Sequence, residues 1–243
     1  MKPYYEDDAC KIYHGDALDG LAGLSDVDVV ITSPPYNLGT STGGGMHAGS
    51  LRAADLAGGY DGGYDDAMPQ DEYDEWQRAC VAAMWKTLND RGAIFYNHKP
   101  RIQAGIAKLP TEYGPGLPVR QVITWDREQG FNFSTSFFLP KSEWIVVWAR
   151  PGFRLADKKR SAVGDVWRFP PETADDHPAP FPLALPARVI ESCGPSLVVD
   201  PFMGGGTTLR AAKDANVRAI GIEQSERYCE IAAKRLAQEV LPL

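Results

Sequence analysis

Apolar positions along the chain follow two rhythms. Short runs of branched and aromatic residues recur at positions 9–14, 27–31, 93–96, 119–125, 143–149, 196–200 and 217–222, and each reads as a strand. Between them, apolar residues return every three or four positions, as amphipathic helices require. The clearest such stripe spans positions 71–90 and joins Tyr73, Trp76, Cys80, Val81, Met84, Trp85 and Leu88. A core-facing role accounts for it better than a ligand-binding box. Further helices are predicted through Leu18, Leu21 and Leu24, through Ile102 and Ile106, and over positions 183–192, 207–215 and 225–239. This strand–helix alternation predicts an α/β fold, with a mostly parallel sheet covered on both faces.

Two stretches break the rhythm. Positions 38–70 hold repeated glycine pairs and few branched residues, and a loop of that length is expected to be a lid over whatever precedes it. Positions 151–176 also lack a period. Charge separates the two. Eight acidic and no basic residues lie between Asp55 and Glu75, whereas seven Lys and Arg lie between Lys141 and Arg168. A net charge of −7 argues mildly against a polyanionic partner, but charge acts locally, and the basic stretch is where such a partner would sit.

The 243 residues suit one α/β domain or two small ones. No run is apolar enough for a membrane span, and the first residues do not read as a signal peptide, so a cytoplasmic protein is expected. The four cysteines and four histidines are dispersed, which argues against a disulfide framework or a metal site.

The chemistry concentrates in two places. The strand ending at Ile31 runs into Thr32, Ser33, Pro34, Pro35 and Tyr36. Proline here fixes φ, removes backbone donors and holds the residue before it extended. The result is a rigid corner presenting a hydroxyl at Ser33, a carbonyl at Pro34 and an aromatic ring at Tyr36. Two acceptors and a stacking face suit a flat ring bearing an amino group.

The second place follows the strand ending at Asp200: Pro201, Phe202, Met203, Gly204, Gly205, Gly206, Thr207 and Thr208, opening directly into a helix. Glycines let a backbone approach a ligand closely, and a helix N-terminus supplies N–H donors. The next strand ends at Glu223, where an acid can bind a ribose diol. Neither a dinucleotide fingerprint nor a phosphate-binding Gly-Lys-Ser/Thr is present, so a nucleoside without phosphate is favoured.

Together these motifs resemble the amino-group DNA methyltransferases that use S-adenosylmethionine. Thr32 to Tyr36 resembles their catalytic motif, Asp200 to Thr208 their cofactor loop and Glu223 their ribose-binding acid. Asp16, after Gly15, resembles a further cofactor contact. His177, Pro178 and Phe181, before the 183–192 helix, resemble the segment beside the methionine moiety. The catalytic motif comes first, which is the permuted order of the β group. The resemblance implies a Rossmann-like methyltransferase fold with a mostly parallel seven-stranded sheet, and double-stranded DNA as substrate. It puts a short target-recognition segment at positions 150–176, with Arg150, Arg154, Lys158, Lys159 and Arg160 on phosphates. A homodimer and a cognate restriction nuclease are the further partners it suggests, in a bacterial or phage setting.

In that reading, Ser33 and the Pro34 carbonyl accept the two amine hydrogens of a flipped base and Tyr36 stacks on it. Serine at position 33 tilts the choice toward N4 of cytosine over N6 of adenine. Carbon-5 methylation would need a cysteine nucleophile, commonly after proline, and no cysteine here follows one. Phenylalanines at 131, 133, 137 and 138 would form core or a wedge, and Asn97, His98 and Lys99 would serve as ligand contacts or a helix cap. Two rivals share parts of the pattern: an N-methyltransferase of protein glutamine or RNA, whose cofactor loop usually comes first, and a DNA-binding protein without catalysis.

Overall fold

The computed structural model describes residues 1–37, 68–103, 105–128, 135, 137–170 and 181–238. The expected lid at 38–70, apart from its last three residues, and the positions of His177 and Pro178 lie outside the described residues. In chain order the elements are β1 (Tyr5–Glu6), β2 (Cys10–His14), α1 (Ala17–Leu21), β3 (Val27–Thr32), α2 (Gln70–Thr87), β4 (Leu88–His98), β5 (Arg101–Gln103) and β6 (Ile106–Lys108). A 3-10 turn (Pro110–Tyr113) follows, then β7 (Val119–Asp126), β8 (Ser142–Ala149), α3 (Lys158–Ser161) and β9 (Val166–Arg168). The chain continues with α4 (Ala184–Cys193), β10 (Leu197–Asp200), α5 (Thr207–Asp214), β11 (Arg218–Glu223) and α6 (Glu226–Ala237).

Among the described residues one sheet has nine strands, ordered β1-β2-β11-β10-β3-β4-β8-β7-β9. The expected seven are its centre, and the two additions are the short edge strands β1 and β9. Strands β2, β11, β10, β3 and β4 run parallel, while β8 and β7 pair antiparallel. The sheet is buried on both faces because successive side chains point to opposite sides and its central strands carry unbroken apolar runs. Val29 and Ile31 of β3 and Phe95 of β4 join the core beneath α4, α5 and α6. Val30, Ile94 and Tyr96 point the other way, into the core shared with Tyr73, Cys80 and Met84 of α2. Each such fully buried Val or Ile contributes about 1.5–3 kcal/mol.

Two expectations are corrected. Residues around Ile102 and Ile106 form the antiparallel pair β5–β6, not a helix. Ile106 is 67% exposed, so the two isoleucines share no buried face and nothing drives a helix there. Strand β4 also begins earlier than residue 93. Leu88 pairs with Val27 and Ala93 with Val29, so the residues between them bulge out of register. Gly92 permits this, since a Cβ there would lie 2.8 Å from the Val27 carbonyl.

Candidate active site

Strands β2, β3, β10 and β11 all end at the same edge of the sheet, with His14, Thr32, Asp200 and Glu223 as their last residues. From β10 the chain passes through α5 to β11 on one side, while β3 lies on the other. The crevice between β10 and β3 is thus the switch point where open α/β sheets bind ligands. Thr32 Oγ1 donates to Asp200 Oδ1 at 2.7 Å across this crevice. The two motifs, 168 positions apart, therefore meet at one buried hydrogen bond.

On the glycine-rich side, Asp200 is wholly buried. Its other oxygen accepts from Thr208 Oγ1 at 2.6 Å, and the Phe202 N–H donates to Oδ1 at 3.1 Å. Burial pushes its carboxyl up to about 6 despite these three donors. Asp200 thus knots the turn to β3. Gly206 adopts φ +80°, and a Cβ there would lie 2.9 Å from that of Ala232 on α6, so the turn closes only with glycine. Glu223 Oε2 accepts from the Gly204 N–H at 2.9 Å and Oε1 from the Ser225 N–H at 2.8 Å. Burial raises the pKa of this carboxyl, against those backbone donors. Asp16 caps α1, accepting from the Leu18 N–H at 2.8 Å, and the preceding Gly15 N–H donates to the Glu223 carbonyl. Phe202 meets Trp76 of α2 edge-on at 5.5 Å.

The hydroxyls of three expected cofactor contacts also engage the scaffold. Thr32 and Thr208 give their hydroxyls to Asp200, and Thr207 accepts from Arg235 of α6 at 3.0 Å. Phe181 packs against the core just before α4.

On the proline side, Ser33 Oγ lies 2.9 Å from the Tyr36 hydroxyl, which donates to Glu143 Oε2 at 2.9 Å. Asn97 Nδ2 donates to the Tyr36 hydroxyl at 2.8 Å and to Glu143 Oε2 at 2.9 Å. Arg127 binds the other Glu143 oxygen at 2.9 Å. Arg101 holds the Tyr36 and Asn37 carbonyls at 2.7 and 2.9 Å. Helix α2 grips the corner from below: Tyr73 donates to the Pro35 carbonyl at 2.7 Å and Gln77 at 3.2 Å. His98 Nε2 is 2.8 Å from the Tyr73 hydroxyl, and its ring lies 4.5 Å from that of Tyr36. Burial lowers the His98 pKa to about 3, so the ring is neutral. Among the described residues the Pro34 carbonyl accepts no protein hydrogen bond.

Sequence reasoning missed Glu143, Arg101 and Arg127. A Glu or Arg at a strand end reads as solvated surface until the neighbouring strand is known. The polar members of the α2 stripe carried a signal, since Gln77 sits on its buried face.

The five basic residues expected on DNA phosphates are not brought to this edge. Strand β8 is antiparallel to β4, with Trp144 beside His98 and Ala149 beside Ala93. Arg150, just past its end, therefore lies at the opposite edge. There Arg150 stacks on Trp85 at 4.2 Å and donates to the Trp85 carbonyl. Arg154 donates to the Pro151 and Phe153 carbonyls. Arg160 pairs with Glu191 at the end of α4, and Lys158 and Lys159 share its short helix. Among the described residues, Lys99, Lys141 and Arg168 also lie at the site's edge, beside or at the ends of β4, β8 and β9, together with Arg101 and Arg127, whose guanidinium groups are engaged within the site.

Burial pushes all four cysteine thiols up to about 12, so none is a ready nucleophile. Among the described residues no group of three or more His, Cys, Asp or Glu could hold a metal ion, and no helix is long and apolar enough to cross a membrane.

A family model described as DNA methylase, for N6 and N4 methyltransferases, matches residues 27–234. The chain belongs to this family. It is an S-adenosylmethionine-dependent DNA amino-methyltransferase. It is 27% identical to the Type II methyltransferase M.ScaI of Streptomyces caespitosus, over all of this chain and 86% of that one. To M2.MboI of Moraxella bovis it is 29% identical, over 100% and 93%. The fold is shared with the cytosine-N4-specific PvuII DNA methyltransferase, at TM-score 0.74, 18% identity and coverage of 99% and 91%. It is also shared with a DNA modification methylase of Thermus thermophilus in complex with S-adenosyl-L-methionine, at TM-score 0.64, 22% identity and coverage of 93% and 92%.

The methyltransferase's crevice fits that cofactor by its donor chemistry. The Glu223 carboxylate has more lone pairs than the backbone N–H groups it accepts, so it can also take a ribose hydroxyl. Residues 200–208 include no Lys or Arg, as expected for a nucleoside without phosphate.

Proposed function

We propose that the enzyme methylates N4 of cytosine in double-stranded DNA, with Ser33 and the Pro34 carbonyl as acceptors for the target amine. The observation carrying this is the Thr32–Asp200 hydrogen bond, which sets the acceptor corner beside the cofactor turn. When bound, S-adenosylmethionine supplies a methyl group on a sulfonium leaving group. Glu223 would hold its ribose, and Phe202 with Trp76 would border its adenine. Two acceptors draw the amine hydrogens into the corner and turn the nitrogen lone pair toward the methyl carbon. The bound cofactor would supply the methyl carbon and a sulfur that leaves with the C–S electron pair, and the methylated nitrogen would lose its proton to water. Positioning supplies most of the acceleration, so no strong base is needed. Serine at position 33 supports cytosine over adenine.

DNA runs along the edge bearing Lys99, Lys141 and Arg168. Phe138, 98% exposed on the approach to β8, faces it there. Charge reversal at Lys141 and Arg168 flattens the salt dependence of DNA binding by about one unit of slope for each phosphate no longer neutralised. The same change across Lys158–Arg160 leaves it unaltered. Equal slopes for both variants would refute this path.

Nucleoside mass spectrometry of DNA treated with enzyme and cofactor tests the base. N4-methylcytosine is the expected product, and N6-methyladenine would overturn the choice. Transfer to protein or RNA instead of DNA would overturn the DNA reading itself. By analogy with relatives named Type II methyltransferases, we place the enzyme in the bacterial cytoplasm beside a cognate nuclease. Resistance of a co-resident plasmid to that nuclease checks the pairing.

A further inference from the structure

We propose that Glu143 sets the direction of a hydrogen-bond chain that makes Ser33 an acceptor toward the target amine. The inference rests on Ser33 meeting that amine, and it adds a positioning residue from a distant strand. A serine hydroxyl can donate or accept, and the amine of cytosine or adenine offers N–H donors. Ser33 helps only if its own proton points away from the base.

The surroundings decide where that proton goes. Glu143 is 5% exposed and ion-paired with Arg127, and as a carboxylate it can only accept. The Tyr36 hydroxyl lies 2.9 Å from Glu143 Oε2 and must give its single proton to it. Asn97 Nδ2, bridging Tyr36 and the same carboxylate oxygen, must also point its donors inward. The Tyr36 oxygen is left as an acceptor, and Ser33 Oγ is 2.9 Å from it. Ser33 therefore donates to Tyr36, and its lone pairs turn outward. Asn97 Nδ2 is 3.4 Å from Ser33 Oγ, a long contact that leaves at least one lone pair for the substrate. The chain runs Ser33 to Tyr36 to Glu143, and each link is polarised by the one beyond it. Glu143 touches neither base nor cofactor in this arrangement and acts through Tyr36.

Glu143→Gln keeps the shape and reverses the sense. Arg127 retains the amide oxygen, the new NH2 faces Tyr36, and the Tyr36 proton turns onto Ser33. Ser33 then presents its own proton to the amine. In single-turnover transfer of labelled methyl to a duplex, this variant is expected to lose about 100-fold in rate, comparable to removing one preorganised transition-state partner. Cofactor affinity and duplex affinity stay unchanged. Tyr36→Phe keeps the ring and cuts the chain, so it also slows transfer, and adding Glu143→Gln to it produces no further loss. A structural role for Glu143 would instead give the same fold loss in both backgrounds, and that result overturns the proposal. So does Tyr36→Phe at the wild-type rate, which stands as the test should Glu143→Gln not fold. Wild-type enzyme that methylates DNA while Glu143→Gln matches it overturns this inference alone. Wild-type enzyme that leaves every duplex unmodified overturns the function on which it rests.

Discussion

At the scale of single residues, the site separates groups that touch ligands from groups that hold them. In the proposed mechanism Ser33 and Glu223 are in the first class. Ser33→Ala is expected to lower turnover by about 100- to 1000-fold, the usual cost of one preorganised polar partner, with cofactor affinity retained. Near-normal turnover would remove Ser33 from the mechanism. Glu223→Ala would delete two charge-assisted hydrogen bonds to a ribose, each worth about 1.5–3 kcal/mol, so titration calorimetry should show cofactor binding weakened by at least about 100-fold. An unchanged dissociation constant would place the ribose elsewhere. The hydroxyls of Thr32, Thr207 and Thr208 hold the scaffold, since Asp200 and Arg235 engage them. Sequence alone did not separate the classes, because a threonine in a glycine-rich turn reads the same whether it faces a ligand or a neighbouring carboxylate.

At the scale of elements, the rigid corner depends on what lies under it. Helix α2 sends Tyr73 and Gln77 to the Pro35 carbonyl, and Arg101 of β5 fastens the next two carbonyls. The stripe along α2 was legible from its spacing, but its polar members became informative only once β4 supplied Tyr96 and His98 as partners. The glycine turn depends on α6 in the same way. Gly206→Ala puts a methyl against Ala232 and strains a positive φ, which should destabilise the protein by about 1–3 kcal/mol in urea titration. An unshifted midpoint would mean that α6 can withdraw from the turn. The hairpin β5–β6 shows the limit of periodicity: two isoleucines four apart match a helix, but neither is driven inward to make one.

At the scale of the molecule, acid stability reports the buried network. The His98 pKa falls from the ordinary 6.5 to about 3 on folding. Unfolded chain takes up a proton that folded chain refuses, so stability present above pH 6.5 is lost as pH falls toward 3. Asp200 opposes this. With its pKa raised from 3.8 to about 6, it contributes stability that is full below 3.8 and lost as pH rises through 6. His98→Gln removes only the first contribution, so its urea midpoint should fall less steeply than that of wild type from neutrality to about pH 4. Parallel curves would show that His98 does not control the acid limb. The same scale governs the DNA path. Antiparallel β8 carries Arg150 to one edge of the sheet and Lys141 to the other, which residue order along the chain does not reveal.

What the amino-acid order determined by itself was local: which runs form strands, where proline and glycine stop them, and which residue types could hold an amine or a ribose. Those properties depend on side-chain size, backbone freedom and spacing over a few positions. Only the tertiary structure decided which distant pieces meet. Strand direction and register join Thr32 to Asp200, bring Glu143 beneath Tyr36 and turn Arg150, Arg154 and Arg160 away from the site. A carboxylate's role depends on whether neighbouring strands bury it and which donors they aim at it, and those neighbours come from elsewhere in the chain.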